Sequence, residues 1–572
     1  MDVQLTPARG AGLAALIIGL SLVAASPADA QSQPGSTGSG RAAGAAESAL
    51  GETTPPVSER RAIRTARRDP KVDETRDRYG KLSAVAEQKP GVWQVGFFAD
   101  GAERAQVIVD QNTGEVRESW TGYQVAWQMA RGYSGQFGHK LDAPYVWLPL
   151  CAIFLLGLVE WRRPWRLAHL DLLVLLAFGV SHVFFNDAEI GVSVPLVYPV
   201  LLYLLARMLW AGFRGVGPGL RPSAPVTWLA IATVFLLGFR VALNIADSGV
   251  IDVGYAGVIG ADRITHGDPI YGDSAFTTDN PFGDTYGPAN YYAYVPFELA
   301  LPWSGSWDQL PAAHAAAIFF DLAVVAGLFM LGRRLRPGAS GRDLGFVLAF
   351  AWAAYPYTDF ALQSNSNDSL VAALIVWALV LARPAARGGM LGLATMTKFA
   401  PLALAPLFAT GERSLLDRPP WRPLAAFSGG LVVVMALMLV HPAIDPGLAT
   451  FWDRTVGSQV VRESPFSIWG QVRLGPLQVV AQILAAGLGV LVAFVPRRRS
   501  LAQVAALGAA VLIAVQLTAD HWFYLYIPWF FPLLIAALAA GAAAERREAE
   551  APAQATNLEP VPVAHVADFL VL

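Results

Sequence analysis

"SGVIDVGYAGVIGADRITHGDPIYG", Ser248 to Gly272, follows directly on an apolar run that ends near Ile245. It carries Asp252, Asp262 and Asp268, together with Arg263 and His266. A greasy helix opens into so polar a loop where hydrocarbon gives way to water, because backbone outside a helix cannot be satisfied in lipid. The stretch therefore reads as the first large loop of a membrane-embedded domain.

Composition agrees with that reading. Of 572 residues, 54% are hydrophobic and 15% charged, against about 25% charged in an ordinary soluble domain. Apolar segments lie near 144–160, 169–185, 193–212, 226–246, 311–332, 343–360, 367–382, 389–410, 425–440, 475–495, 501–519 and 523–543. Most approach the length needed to cross about 30 Å of hydrocarbon. The fold class is a polytopic α-helical membrane protein. A net charge of −2 gives no footprint for nucleic acid. The single cysteine, Cys151, allows neither an internal disulfide nor a thiolate cluster. No His/Asp/Glu spacing suits a metal, so none is expected.

The first 30 residues read as a signal peptide or signal anchor: Arg9, the apolar stretch 12–25, then Ala28-Asp29-Ala30 as a small-residue cleavage site. Either fate puts the following chain outside the cytoplasm. Residues 31–55 read as a Gly/Ser/Ala/Pro-rich linker, and 56–140 as a small soluble α+β domain. Within it "SERRAIRTARRDPKVDETRDRYGKL" is helical and charged, while "GVWQVGFF", "RAQVIVD" and "EVRESW" alternate like strands. Helix, short strands and a "VDQNTGEV" turn resemble the PepSY domain family, an extracytoplasmic module.

Lys and Arg in short loops set the orientation. With 31–143 outside, "WRRPWR" (161–166), the Arg207/Arg214/Arg221 region, "RRLRPGASGR" (333–342) and Arg383/Arg387 all fall inside. Counting back from "RRR" (497–499) puts Arg413, Arg418 and Arg422 inside as well. Both ends of 389–410 are then on one side. The segment reads as a broken, re-entrant hairpin with Lys398 near its tip, lining a cavity; the other reading is a lysine snorkelling along an ordinary span. Residues 144–215 make three spans, 220–545 a core of about eight or nine membrane segments, and 546–572 a cytoplasmic tail.

The long outside loops are 247–310, 357–368 and 441–473, joined by "DHWFYLY" (520–526). "IDVGYAGVIGADRITHGDPIYG" with "DTYGPANYYAYVP", then "TKFAPLALAPL", "RESPFSIWG" and "HWFYLY", resemble family 87 of the GT-C glycosyltransferases. The resemblance implies a polyprenyl-phosphate sugar donor (mannose and arabinose are both plausible), an acceptor that is a glycolipid, a polysaccharide or a protein, and no cofactor. It also implies that Asp252 is the essential acid. The domain at 31–140 and the three spans after it lie outside that pattern.

The chemistry follows from residue types. A lipid phosphate is already a good leaving group, so inverting transfer needs one base for the acceptor hydroxyl and cations for the phosphate. Asp252 is the candidate base, held by a short interfacial helix formed by "YAGVIGADRI"; Asp247 is the runner-up, ahead of Asp262 and Asp268. Candidate phosphate ligands are Arg462, Arg454, Lys398 and His521. Tyr286, Tyr291, Tyr292, Tyr294, Trp303 and Trp307 offer sugar-stacking faces or an interfacial belt. Gln363, Asn365, Asn367 and Asp368 offer hydroxyl partners or polar loop caps. The competing function is a transporter or lipid flippase, disfavoured because no repeated half is evident.

Overall fold

A computed structural model describes residues 57–541, except 134, 216, 273–275, 277–279, 281, 419, 459–463 and 473. The expected signal segment, linker and tail lie outside the described residues.

The N-terminal domain has two helices, α1 (Glu59–Ala66) and α2 (Pro70–Tyr79), and four strands, β1 (Ser83–Lys89), β2 (Val92–Ala99), β3 (Ala102–Asp110) and β4 (Val116–Thr121). The strands form an antiparallel meander in chain order. Val95 and Phe97 alternate with Ala105, Val107 and Val109 toward one face, where Ala62, Ala66 and Val72 of the helices close the core. Asp69 caps α2 by accepting from the Lys71 amide, and Pro70 fits the first turn because its missing N–H is not needed there. Between β3 and β4, Asp110 accepts the amides of Asn112 and Thr113, and Gly114 takes the positive φ that closes the turn.

Beyond this domain the chain is a helix bundle. Among the described residues, five helices are long and apolar enough to cross a membrane: Leu167–Asn186, Ile190–Arg214, Val226–Asp247, Pro311–Leu335 and Trp421–Met438. Shorter apolar helices include Pro144–Leu158, Asp368–Val380, Gly475–Leu491 and Leu501–Leu517. The segments expected near 144–160, 169–185 and 193–212 are all helical. The one expected at 343–360 is instead two helices, Gly338–Ala354 and Pro356–Gln363, divided where Pro356 cannot continue the preceding hydrogen-bond ladder.

Segment 389–410 turns back on itself. Pro384–Thr397 is helical, Lys398 is extended, and the chain returns through Ala400–Leu404 and Ala405–Thr410. Arg387 near the start of this segment reaches the Phe408 carbonyl near its end, 3.4 Å away. The first arm packs closely on Trp421–Met438 because Gly388 and Gly430 carry no side chain; a Cβ on either would lie 2.0 Å from a carbonyl oxygen.

Backbone contacts sort the bundle into two ends. At one, Leu220 donates to Leu538, Ser223 to Val159, Arg334 to Leu379, Arg336 to Ala539 and Arg499 to Gly411. This end gathers the arginine-rich loops. At the other, Gln124 reaches Ala188, Lys140 pairs with Asp247, and Gln471 donates to Ile190. The sheet domain and the long polar loops lie there.

Candidate active site at the loop end

The opening stretch is sewn to the turn after Pro356–Gln363. Gly249 donates to the Gln363 carbonyl and Ile251 to the Ser364 carbonyl, both at 3.2 Å. Asn365 donates to Gly249 and Ser248, and Asn244 holds Asn365 from the helix below. Asp252 then starts the helix Asp252–His266, the short helix expected there, so its carboxylate sits in the first turn, where helix amides favour negative charge. Asp252 is solvent-exposed, and its carbonyl accepts from Asn280 at 2.9 Å. Gly254 lets this helix approach the Asn365 carbonyl, which a Cβ would meet at 2.4 Å. Asp247 is engaged elsewhere: it accepts from the Lys140 amide and faces its ammonium at 3.7 Å. Asp262 lies beside His266 on the exposed side of the helix. The Asp268 amide closes the end of that helix on Arg263.

Lys398 occupies the turn of the hairpin. Its ammonium donates to Asp368 at 2.5 Å and lies between 5.1 and 5.9 Å from the rings of Trp529, Tyr526 and Tyr286. Asp368 is buried; its Oδ1 also accepts from the Trp529 indole at 2.8 Å, while Oδ2 has no protein partner. The cation is thus set among π-faces with one acid, in surroundings that lower the dielectric. Gly287 donates to the Thr397 carbonyl, and its bare Cα lies against Met396, so the helix Pro288–Ala300 begins directly on the hairpin turn. That helix brings Asn290 to Asn367 at 2.7 Å.

Tyr286 is held by its backbone. Its carbonyl accepts from the Tyr271 hydroxyl, and its amide donates to the Tyr291 hydroxyl. Beside it, fully buried Asp284 accepts from Nε and Nη2 of Arg454, a bidentate pair at 2.6 and 2.9 Å, and from the Gly272 amide at 3.1 Å. Burial pushes the Asp284 carboxyl above its ordinary pKa, and the Arg454 hydrogen bonds offset part of that shift. Arg454, a candidate phosphate ligand by residue type, has its planar fork on a carboxylate in the structure. Asp284 was not singled out from sequence, because the guanidinium it meets is 170 residues away.

His521 accepts or donates at Ser464 across 2.9 Å and stacks on Trp127, which lies just after the sheet domain. Gln363 is wholly buried and donates to Asp359 and to the Arg240 carbonyl, so it braces the framework rather than facing the loops. Arg462 lies outside the described residues. Tyr255 stacks on Trp307 at 4.1 Å, Tyr291 and Tyr294 are buried, and Tyr292 is partly exposed. Among the described residues, no group of three or more His, Cys, Asp or Glu side chains is placed to hold a metal.

Residues 285–525 match the family model of Glycosyltransferase family 87. The matched region contains Tyr286, Gln363, Lys398, Arg454, Arg462 and His521; Asp252 and the sheet domain precede it. No curated protein matches the chain. The family match supports a glycosyltransferase, and the apolar helices support a membrane protein.

Proposed function

We propose that the chain is a membrane glycosyltransferase that moves a sugar, mannose or arabinose among the plausible ones, from a polyprenyl-phosphate donor to an extracytoplasmic acceptor, with inversion. The observation that carries this is the family match to the region that folds Lys398 into a hairpin turn beside Asp368 and Tyr286. In this reading Asp252 takes the acceptor hydroxyl proton as sugar and phosphate part company. Lys398 receives the phosphate, with His521 and Arg462 as further donors and Tyr286 against the sugar. No cofactor or metal enters the scheme. The acceptor is a glycolipid, a polysaccharide or a protein.

Arginines gathered at one end make that end cytoplasmic by the charge rule, so the site faces outward from the plasma membrane. The N-terminal module is then an extracytoplasmic, PepSY-like domain behind a signal segment. Its helices packed on one sheet face are in keeping with that.

The test is transfer from a panel of labelled polyprenyl-phosphate sugars by membranes containing the protein. Asp252→Asn keeps the volume and removes the base, so turnover should drop roughly 100-fold or more with donor binding retained. Near-normal turnover by that variant would remove Asp252 from the mechanism.

A further inference from the structure

Helix α1 and the turn after it carry five arginines in nine residues, Arg60, Arg61, Arg64, Arg67 and Arg68, all exposed. Among the described residues none of the five has an ion-pair partner. The neighbouring α2 is different: it mixes acids and bases, and Arg76 pairs with Asp73. Like charges three and four apart on a helix, such as Arg61 and Arg60 with Arg64, repel one another and weaken it. Only Ala62 and Ala66 are fully buried from this helix, so packing does not require the arginines.

The arrangement excludes several occupants. Gln106, on the other face of the sheet, accepts from Arg131 in the segment that leads to the bundle. Helix α1 therefore packs on the opposite sheet face from that connection, while the start of α2 comes round to the shared edge, where Lys71 and Arg131 both lie over the Trp120 ring; the placing of α1 disfavours the protein's own bilayer as the occupant. Residues 31–56 supply two glutamates, Glu47 and Glu52, against Arg41, too little charge to neutralise five cations. No aromatic residue stands between Ser58 and Arg68 to stack on a base, the usual companion of charge in single-strand nucleic-acid binding.

We propose that α1 is a docking face for an acidic polysaccharide, a chain of repeated carboxylates that the arginine forks grip in pairs. The choice of a polysaccharide rests on the glycosyltransferase reading; the demand for a polyanion rests on α1 alone. The chain would hold a growing or acceptor glycan near the loop end of the bundle.

The test measures binding of fluorescein-labelled polygalacturonate to the purified full-length protein in detergent. Neutral dextran and phosphatidylglycerol-containing vesicles serve as comparison probes. Polygalacturonate should bind at low salt. Replacing all five arginines by glutamine should lower affinity roughly 100-fold and flatten the dependence of log affinity on log salt by about 3 to 4. The quadruple variant Lys71→Gln/Arg76→Gln/Arg78→Gln/Lys81→Gln should bind nearly as the parent does. Because glutamine removes repulsion within α1, the fold should survive; the smaller Arg60→Gln/Arg64→Gln variant should show an intermediate loss. Unchanged affinity in the five-fold variant would overturn the proposal, as would equal binding of dextran or binding of vesicles but not polygalacturonate. Asp252→Asn should bind the polymer normally, so a wrong catalytic assignment and a wrong docking face leave different signatures.

Discussion

Arg240 and Lys398 are both cations drawn into the helix bundle, and they are held in opposite ways. Arg240 is fully buried and held from several sides: its terminal nitrogens donate to the carbonyls of Trp352 and Ala353, to Thr358 and to Asp321, and its Nε lies 3.5 Å from Asp359. Asp321 and Asp359 are themselves bonded to Trp352 and Gln363. Lys398 has one acid and three rings, and keeps a little exposure. A planar fork held by several fixed partners sets geometry, whereas a point charge on a flexible stem can exchange one anion for another. The first cation is framework for the loops beside it; the second is the one that the proposed function assigns to the donor phosphate.

The largest effect should come from breaking the framework. Arg240→Met strands two acids, and removing one partner from a buried ionic group costs about 3–5 kcal/mol. Thermal melting in detergent should fall steeply and the yield with it. A wild-type melt would mean that the network does not hold the bundle.

Next comes Lys398→Ala. Asp368 keeps the Trp529 hydrogen bond, and Lys398 retains some exposure where Arg240 has none, so the melt should drop less than for Arg240→Met. Transfer should fall roughly 10-fold or more, in line with about 1.5–3 kcal/mol for a hydrogen bond to a charged group. Lys398→Ala/Asp368→Asn sharpens the contrast: it should regain stability without regaining activity. Recovery of both together would make Lys398 framework as well.

A smaller, coupled effect is expected at the outer pair. Asp284→Asn and Arg454→Gln each loosen the turn that presents Tyr286, so each should raise the apparent donor KM several-fold. The double variant should resemble either single one, since residues in one contact are not additive. Fully additive losses would return Arg454 to the phosphate.

The smallest effect belongs to the sheet domain. Asp110, bonded by the Thr113 amide first, then Arg117 and the Asn112 amide, titrates at about 2 rather than 3.8. A lowered carboxyl pKa stabilises the fold above the unfolded value, and that contribution disappears as pH falls through about 2. Asp110→Asn should therefore lower the stability of the domain at pH 7 by a modest amount, and the difference from the parent should vanish as pH falls from 4 to 2, read by circular dichroism melts. An equal loss at both pH values would show that the turn depends on more than the ionised carboxylate.

Much of this was legible because membranes impose a simple code. Apolar length located the helices, five of them among the described residues long enough to cross a membrane, and arginine bias required both ends of 389–410 to lie together, as Arg387 and Phe408 do. The glycine-rich stretch after Asp252 read correctly as a helix. What stayed hidden were pairings between distant residues. Arg240 sits inside an apolar run and was passed over in the hydropathy; a charge at such a depth is itself a signal, but nothing local names Asp321 or Asp359 as its partners. Asp284 is unreadable for the same reason. Strand β1, "SAVAEQK", escaped because its mostly exposed edge position leaves little apolar alternation to detect. Gln363 read as a loop residue because its polarity outweighed its place at the end of a buried helix.

The hairpin has one further consequence, in the counting of crossings. A segment that leaves where it entered adds two half-passages and no net one, so parity is unchanged across Pro384–Thr410. Every helix after it faces the side it would face if those residues were excised. The hairpin can therefore lengthen, shorten or reshape its turn around Lys398 without inverting the loops that carry Arg454 and His521. The chemistry at its turn and the sidedness of the rest of the chain are free to vary independently.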